Sequence, residues 1–203
     1  RGDIDIPWRR TRYDHPDPRV GCNCIVWQKP IRDAKDRLIA GLSRWSSPMV
    51  YPRPVGGNRN HADTGCELMR FDNIDEGPEP EDMQITWLPD QEGTIRVSPG
   101  IEPDASRGYS LAEEPAIALL PDGRLFTILR TGNGNIWYTV SEDDGHTWRK
   151  TEILRYRDGG DPVLNPDSPA PIYGLEDGRY LLFLQNHDGY GYGGKGPFDL
   201  DSR

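Results

Sequence analysis

The amino-acid sequence predicts an all-β protein that is rich in turns. Only 34% of the 203 residues are hydrophobic, so the core has to be thin and built from sheets, without wide buried helices. The 23 glycines and 19 prolines fall between short apolar runs, which is typical of short strands joined by tight turns. Two Asp-Gly-Arg turns, at 122–124 and 177–179, lie 55 residues apart, and each precedes an apolar run. This spacing indicates a repeated unit.

Charge and hydropathy narrow the range of partners. The net charge is -9, with acidic and basic residues interspersed, which disfavours a nucleic-acid partner. No apolar run approaches the roughly 18 residues of a membrane span, so the sequence predicts none. The chain begins with Arg1 and shows no signal peptide, and this leaves open whether the protein is secreted, periplasmic or cytoplasmic. The oligomeric state is left open as well.

The three cysteines are best interpreted as small buried thiols. Cys22 and Cys24 are two positions apart, on one face of a predicted strand, where they are poorly placed to bond each other, and Cys66 lies in another strand. An odd cysteine count with this spacing does not indicate a disulfide framework or a metal site. The sequence predicts no metal and no cofactor.

Residues 1–20 are predicted to be an irregular N-terminal segment, and a regular succession of strands and turns follows it. The first unit, 21–110, has these predicted strands: 22–27, 38–42, 66–71 and 83–88, with a further short one at 95–97. Its loop at 46–64 is too long for a hairpin connection, and long ordered loops of this kind often build sites.

The rhythm then repeats more regularly. The second unit, 111–160, has these predicted strands: 116–120, 125–129, 136–140 and 151–154; a third unit, 161–203, starts with 170–173 and 180–184. Four strands in about 50 residues is the signature of a β-propeller blade. About two and a half blades fit in the chain, and a propeller has to close to hide its sheet edges. The sequence therefore predicts part of a larger propeller; the alternative is a two-sheet sandwich of about eight to ten strands.

The octet 141–148 carries the most recognisable motif, S-x-D-x-G-x-T-W, formed by Ser141, Asp143, Gly145, Thr147 and Trp148. Aspartate and glycine are turn residues, and strand-like runs flank the octet, so it predicts a hairpin. The serine and threonine hydroxyls can bond across the loop while the tryptophan shields those bonds from water. The motif is therefore interpreted as a structural, self-stapled turn.

Residues 113–125, Arg130 and the octet 141–148 together resemble the sialidase (neuraminidase) superfamily, whose propellers carry BNR repeats, also called Asp-boxes. The likeness continues through 165–169 to about residue 184, whereas 1–110 match in strand rhythm only. The resemblance implies a six-bladed β-propeller. It also implies a glycosidase of carbohydrate metabolism, an exo-acting hydrolase that removes a terminal acidic sugar from a glycan substrate.

The same resemblance assigns roles to individual residues. In sialidases an arginine triad holds the substrate carboxylate, a tyrosine activated by a glutamate is the nucleophile, and an aspartate is the acid/base. Glu114 matches the activating glutamate, Arg130 matches a triad arginine, and Asp63 lies where the acid/base aspartate is sought. Residues 5–7 come close to the Arg-Ile-Pro motif that normally opens a sialidase domain, but they lack its arginine. The nucleophilic tyrosine and the last triad arginine are expected beyond Arg203.

Two histidines keep other chemistries open. His61 and His187 each stand in a loop beside asparagine and aspartate, and a histidine that titrates near neutral pH is an apt base. Some propeller polysaccharide lyases and a rhamnosidase type resemble this arrangement. Tyr190 and Tyr192, in a glycine-rich run, are candidates for stacking on sugar rings. A non-catalytic propeller that binds glycans or proteins is the remaining alternative.

Overall fold

A computed structural model of the protein describes residues 8–26, 28–50, 63–90, 93–97, 110, 112–132, 134–166 and 168–187. Within these residues the regular structure is β-strand, apart from two short 3-10 helices, Ile74–Glu76 and Pro80–Asp82. The protein is therefore all-β over the described part, as predicted. No helix among these residues has the length and apolar character to cross a membrane.

The strands in the described part of the chain form three antiparallel sheets. The strands are β1 (Asn23–Val26), β2 (Ile31–Arg32), β3 (Leu38–Trp45), β4 (Thr64–Phe71), β5 (Ile85–Leu88), β6 (Glu113–Leu119), β7 (Leu125–Arg130), β8 (Trp137–Ser141), β9 (Glu152–Ile153), β10 (Ile172–Gly174) and β11 (Tyr180–Leu182). In the first sheet β1 and β2 both pair with β3, followed by β4 and β5. The second sheet has the order β6-β7-β8-β9, and the third consists of β10 and β11.

The three sheets stack in the order of the chain, and a buried apolar cluster lies between each neighbouring pair. One buried cluster joins the first and second sheets through residues such as Leu68 and Ile117. A second cluster joins the second and third sheets and includes Ala116 and Ile128, with Leu182 packed against it. Because side chains alternate along a strand, Ala116 and Ile117 of β6 serve opposite interfaces. Three stacked sheets do not match the two-sheet sandwich that the sequence left as an alternative.

Most predicted strands are confirmed to within a few residues, but two predictions need correction. Strand β3 continues to Trp45, beyond the predicted end at residue 42, through pairing with β1 and β4. The added residues Ser43 and Arg44 are polar but buried. The predicted strand 95–97 is only an isolated bridge between Ile95 and Cys66. Polar burial hides a strand from a search for apolar residues.

The face of β3 that points away from the second sheet carries a buried ionic cluster. Arg44 is 2% exposed and donates to Glu67 over 2.6 Å and to Asp14 over 3.2 Å. Arg9 lies 3.3 Å from the other oxygen of Glu67. Burial raises the pKa of Glu67, although both arginines act to lower it. The cluster attaches the N-terminal segment, residues 8–22, to the first sheet.

The cysteines are free, and only one is fully enclosed. Cys66 is buried in β4, and burial raises the pKa of its thiol well above its ordinary value. Cys22 and Cys24 are half-buried, and burial raises the pKa of Cys24 to about 11. Cys22 precedes β1, so the prediction that it shares a strand face with Cys24 is wrong.

Candidate functional site

The ends of four strands meet at one edge of the first two sheets, which we call the rim. Trp45 at the end of β3 pairs with Thr64 at the start of β4. Glu113 at the start of β6 pairs with Arg130 at the end of β7. The backbone N–H of Glu114 donates to the Ser43 hydroxyl oxygen over 2.6 Å. This cross-sheet bond places both pairs of strand ends at the same edge.

Glu114 and Arg130 form a close ion pair at this rim. The Arg130 guanidinium donates to the Glu114 carboxylate over 2.6 Å and lies 3.0 Å from the Glu113 carboxylate. Glu114 is 7% exposed, so its charge is largely removed from water. The structure thus brings together the two residues that the sequence predicted to share a rim.

The backbone at Glu114 is unusual for a strand. The register slips between Glu113 and Ala116, so that Glu114 and Pro115 stand opposite Leu129 alone, which is a β-bulge. Glu114 has φ of 47°, in the left-handed region that non-glycine residues seldom adopt. Bulges of this kind often redirect a side chain near a functional site. The sequence signal was Pro115, because proline inside a strand is found mainly at edges and bulges.

Asp63 is buried near the rim, where its carboxylate links separate loop segments through hydrogen bonds. Its carboxylate accepts hydrogen bonds from the Ser46 hydroxyl over 2.6 Å and from the Ser110 N–H over 2.8 Å. It also pairs with Arg96, which lies over the ring of Tyr13 at 4.5 Å. Asp63 is 1% exposed, and a residue that protonates a leaving group has to reach the substrate. Its position favours a structural role; the acid/base assignment stays a prediction.

The other candidate residues are only partly described. His61, Tyr190 and Tyr192 lie outside the described residues. His187 is half-buried in the loop after β11, and its Nε2 lies 3.1 Å from the side-chain oxygen of Gln185. Among the described residues, no group of three or more His, Cys, Asp or Glu side chains is arranged to hold a metal ion.

A cavity of about 470 Å³ runs beside β6. Its walls come from β2, from the edge of β6 that is not paired with β7, and from β10. Lys29, Arg32 and Tyr173 contribute polar and aromatic surface. The hydroxyl of Tyr180 donates to the carbonyl of Leu119 over 2.6 Å, which joins the third sheet to the far end of β6. Strand β6 therefore connects the rim with this cavity.

The octet 141–148 forms the predicted self-stapled turn. The Thr147 hydroxyl and N–H donate to the two oxygens of Asp143 over 2.7 and 2.8 Å. The Gly145 N–H donates to the Ser141 hydroxyl oxygen over 2.8 Å, and the Trp148 indole donates to the Gly145 carbonyl over 3.0 Å. Gly145 has φ of 90°, the conformation that glycine adopts without steric cost. These hydrogen bonds are the ones expected of a self-stapled turn, and they favour a structural role for the octet.

This turn lies far from the rim. Ser141 pairs with Leu125, the first residue of β7, whereas Arg130 is the last. Five residue steps along a strand span roughly 16 Å. Asp144 of the turn instead contacts the first sheet through Lys35, over 2.5 Å, and Arg37, over 3.2 Å. The octet supports the stacking of the sheets and takes no part in the candidate site.

We expect Asp143→Asn to lower the free energy of unfolding by about 1–2 kcal/mol, because it weakens two or three partly solvated hydrogen bonds. Burial raises the pKa of Asp143, but the hydrogen bonds from Thr147 and Ser141 outweigh it and hold the pKa below its ordinary value of 3.8. The stabilisation is therefore complete above that value and is lost as the pH falls through the lower pKa of the folded state. Urea unfolding of both proteins between about pH 3 and 7 measures it. A difference that grows on acidification would contradict this prediction.

The comparisons with known proteins give no functional assignment. No family model matches the chain. No curated protein matches it either. A solved structure of a protein of unknown function from Dyadobacter fermentans DSM 18053 is similar, with a TM-score of 0.43 and 14% sequence identity. The similarity covers 77% of this chain and 48% of that one, so this chain spans about half of its length. Likeness at this level supports no argument about activity.

Proposed function

We propose that the protein is a carbohydrate-active enzyme of the sialidase-like propeller type, an exo-glycosidase that hydrolyses a terminal acidic sugar with retention. The observation that carries the proposal is the Glu114–Arg130 pair, 2.6 Å apart, with the glutamate on a bulge at the rim. An ordinary ion pair between neighbouring strands needs no left-handed backbone. Strain of about 1–3 kcal/mol at one carboxylate is typical of residues placed for function.

The chemistry of the pair suits an acidic sugar. A guanidinium group binds a carboxylate through two parallel hydrogen bonds, which fixes both position and orientation. Arg130 is closer to Glu114 than to Glu113, at 2.6 and 3.0 Å. We propose that the substrate carboxylate displaces Glu113 from Arg130 and leaves the Glu114 contact in place.

The reaction needs a nucleophile beside Glu114. A neutral tyrosine avoids the repulsion that a carboxylate nucleophile would meet at an anomeric carbon that itself bears a carboxylate. In this proposal Glu114 accepts the phenolic proton while the tyrosine oxygen bonds to the anomeric carbon and the leaving alcohol departs with a proton from an acid. Water then hydrolyses the glycosyl-tyrosine intermediate and restores both groups.

The arrangement of the sheets is compatible with the proposed propeller. The second sheet is a four-stranded meander, which is the form of a propeller blade. Its two faces contact the preceding and the following sheet through separate apolar clusters. We propose on this basis that the three sheets are consecutive blades of a six-bladed ring.

Hydrolysis of an aryl sialoside by the natural full-length protein tests the proposal. We expect Glu114→Gln and Arg130→Ala each to lower kcat/KM by at least about 10²-fold, the usual range for a lost acid–base or charge-stabilising group. The matched control is Arg124→Ala. It removes an exposed arginine of the 121–124 turn, which pairs with Asp122 at the other end of the strands, and it should leave kcat/KM unchanged.

Three outcomes would contradict the sialidase proposal. Release of an unsaturated, ultraviolet-absorbing uronate from a polysaccharide, without sialoside hydrolysis, would identify a lyase. Release of rhamnose from a rhamnoside would point to the other histidine-dependent type. Glycan binding that is unchanged in both rim variants, with no hydrolysis, would identify a non-catalytic binding propeller.

A further inference from the structure

The bulge at Glu114 packs against two residues of the first sheet, Gly41 and Ser43, which we call the seat. Gly41 and Ser43 of β3 are two positions apart and therefore point to the same face of the first sheet. A Cβ atom placed on Gly41 would lie 2.7 Å from Pro115 Cγ and 3.0 Å from the Pro115 carbonyl oxygen. The Ser43 hydroxyl oxygen accepts the Glu114 N–H over 2.6 Å. Both residues of the bulge thus rest on this pair.

Each residue of the seat has a distinct physical task. Gly41 has no side chain, so the Pro115 ring can approach the backbone of β3 at a distance that any other residue would prevent. Ser43 is fully buried and supplies an acceptor to an amide that the bulge removes from the regular ladder between β6 and β7. A buried N–H without an acceptor costs about as much as a lost hydrogen bond. The seat therefore stabilises the left-handed backbone at Glu114.

The backbone angle at Glu114 decides where its carboxylate points. With regular pairing, residue 114 would lie directly opposite Leu129 and its side chain would follow the alternation of β6. The bulge changes this direction and brings the carboxylate to 2.6 Å from Arg130. A change of φ at one residue moves the end of a glutamate side chain by several ångströms, on the order of the length of that side chain.

We propose that Ser43, supported by Gly41, is a positioning residue for Glu114: it fixes the strained backbone of a second-sheet residue from the first sheet and so aims the carboxylate at Arg130. Its catalytic consequence rests on the function proposed above, whereas its effect on the ion pair does not. Ser43 does not act on the substrate in this proposal.

The direct test is the state of the ion pair in variants of the seat. In ¹⁵N-arginine-labelled full-length protein, we expect Ser43→Ala and Gly41→Ala each to shift the resonance of the Arg130 Nη1–H group that donates to Glu114. Its exchange rate with water should rise by about tenfold, since the carboxylate is no longer held in place. The Glu114→Gln protein assigns the signal and defines the fully uncoupled shift.

Thr127→Ala is the matched control. Thr127 is a fully buried hydroxyl residue of β7 that pairs with Ile117, and it donates to the Ala116 carbonyl over 3.3 Å. The Thr127→Ala protein also loses a buried hydrogen bond between a hydroxyl and the backbone, with the hydroxyl as donor instead of acceptor. A general loosening of the sheets would therefore appear in this variant too. An Arg130 signal that moves equally in Thr127→Ala, or that stays unchanged in both seat variants, would overturn the proposal.

The kinetic readout separates positioning from folding. In the folded fraction of Ser43→Ala, kcat should fall by about 10-fold or more, because small misplacements of a catalytic group are costly, while KM changes by less than about twofold. Ser43→Thr keeps the acceptor oxygen and should restore the Arg130 signal toward that of the wild type. If the wild-type protein hydrolyses no sialoside, the proposed function fails, but the Arg130 resonance still decides the role of Ser43. An active Ser43→Ala protein with wild-type kcat would overturn the proposed positioning role of Ser43.

Discussion

Replacement of Arg44 by alanine should lower the free energy of unfolding by about 3–5 kcal/mol, a large part of the stability of a typical domain. Arg44 lies between the carboxylates of Glu67 and Asp14, and Arg44 and Glu67 are both almost fully buried. Without the guanidinium, the two carboxylates are left close together in a region of low dielectric. Urea unfolding of the Arg44→Ala protein, compared with wild type, measures the loss.

The control for Arg44 is Arg32→Ala. Arg32 also pairs with an aspartate, Asp75, but both side chains are exposed, and exposed pairs contribute little. The unfolding midpoint of this variant should stay close to that of the wild type. The double variant Arg44→Met/Glu67→Leu should recover part of the loss, because replacing a buried pair by apolar residues removes the desolvation cost. Equal losses in Arg44→Ala and Arg32→Ala would contradict the importance of the buried cluster.

Asp63→Ala should be the second strongly destabilising change, with a loss of about 3 kcal/mol. The substitution leaves the buried Ser110 N–H and the Ser46 hydroxyl without their acceptor, and buried donors without acceptors cost about 1–3 kcal/mol each. Arg96 also loses its charged partner. Urea unfolding gives the stability of this variant.

The Asp63→Asn variant distinguishes a structural role of Asp63 from a role as the catalytic acid. Its amide oxygen can still accept from Ser110, and the Ser46 hydroxyl can rotate to accept from the amide nitrogen. We therefore expect a smaller loss of stability, about 1–2 kcal/mol. For the sialoside hydrolysis proposed above, we expect a rate of the folded protein within about tenfold of wild type. If stability is kept while hydrolysis falls by about 10³-fold, Asp63 is the acid/base residue after all.

Asp33→Asn provides the control for this pair of changes. Asp33 is another buried carboxylate of the first sheet, and it accepts the N–H groups of Lys35 and Arg37 over 2.9 Å each. It lies in the turn between β2 and β3, at the end of the sheet opposite to the rim. Its replacement should reduce stability without a specific effect on hydrolysis, as expected for a tie that is remote from the site.

The parts of the fold that follow from apolar periodicity and turn chemistry were predictable. A short apolar run marked β7, and the octet 141–148 marked the hairpin between β8 and β9. The placement of Glu114 and Arg130 at the same rim followed from simple antiparallel geometry, since a four-residue turn joins their strands, whereas the bulge that brings the two side chains into contact did not. These features depend on neighbours in the sequence, which a single sequence displays directly.

The features that sequence reasoning missed depend on contacts between distant segments. The contacts of Gly41 and Ser43 with the bulge exist only when the first and second sheets pack together, so the sequence of either segment alone does not reveal them. Arg44 and Glu67 are charged, so nothing in the apolar pattern marked them as buried, yet the N-terminal segment covers them. Asp63 looked like a loop carboxylate available to a substrate, and its partners are 17 to 47 residues away in the chain. Tertiary burial of polar groups overrides the apolar pattern on which such predictions rest.

The bulge in β6 also bears on how the protein avoids unwanted association. Strand β6 has one edge that no described strand covers, and an open, regular edge can template pairing with a strand of another chain. Pro115 lacks an amide donor, and the bulge that contains it breaks the even spacing of hydrogen-bonding groups. The same irregularity that aims Glu114 therefore makes this edge a poor template for β-aggregation.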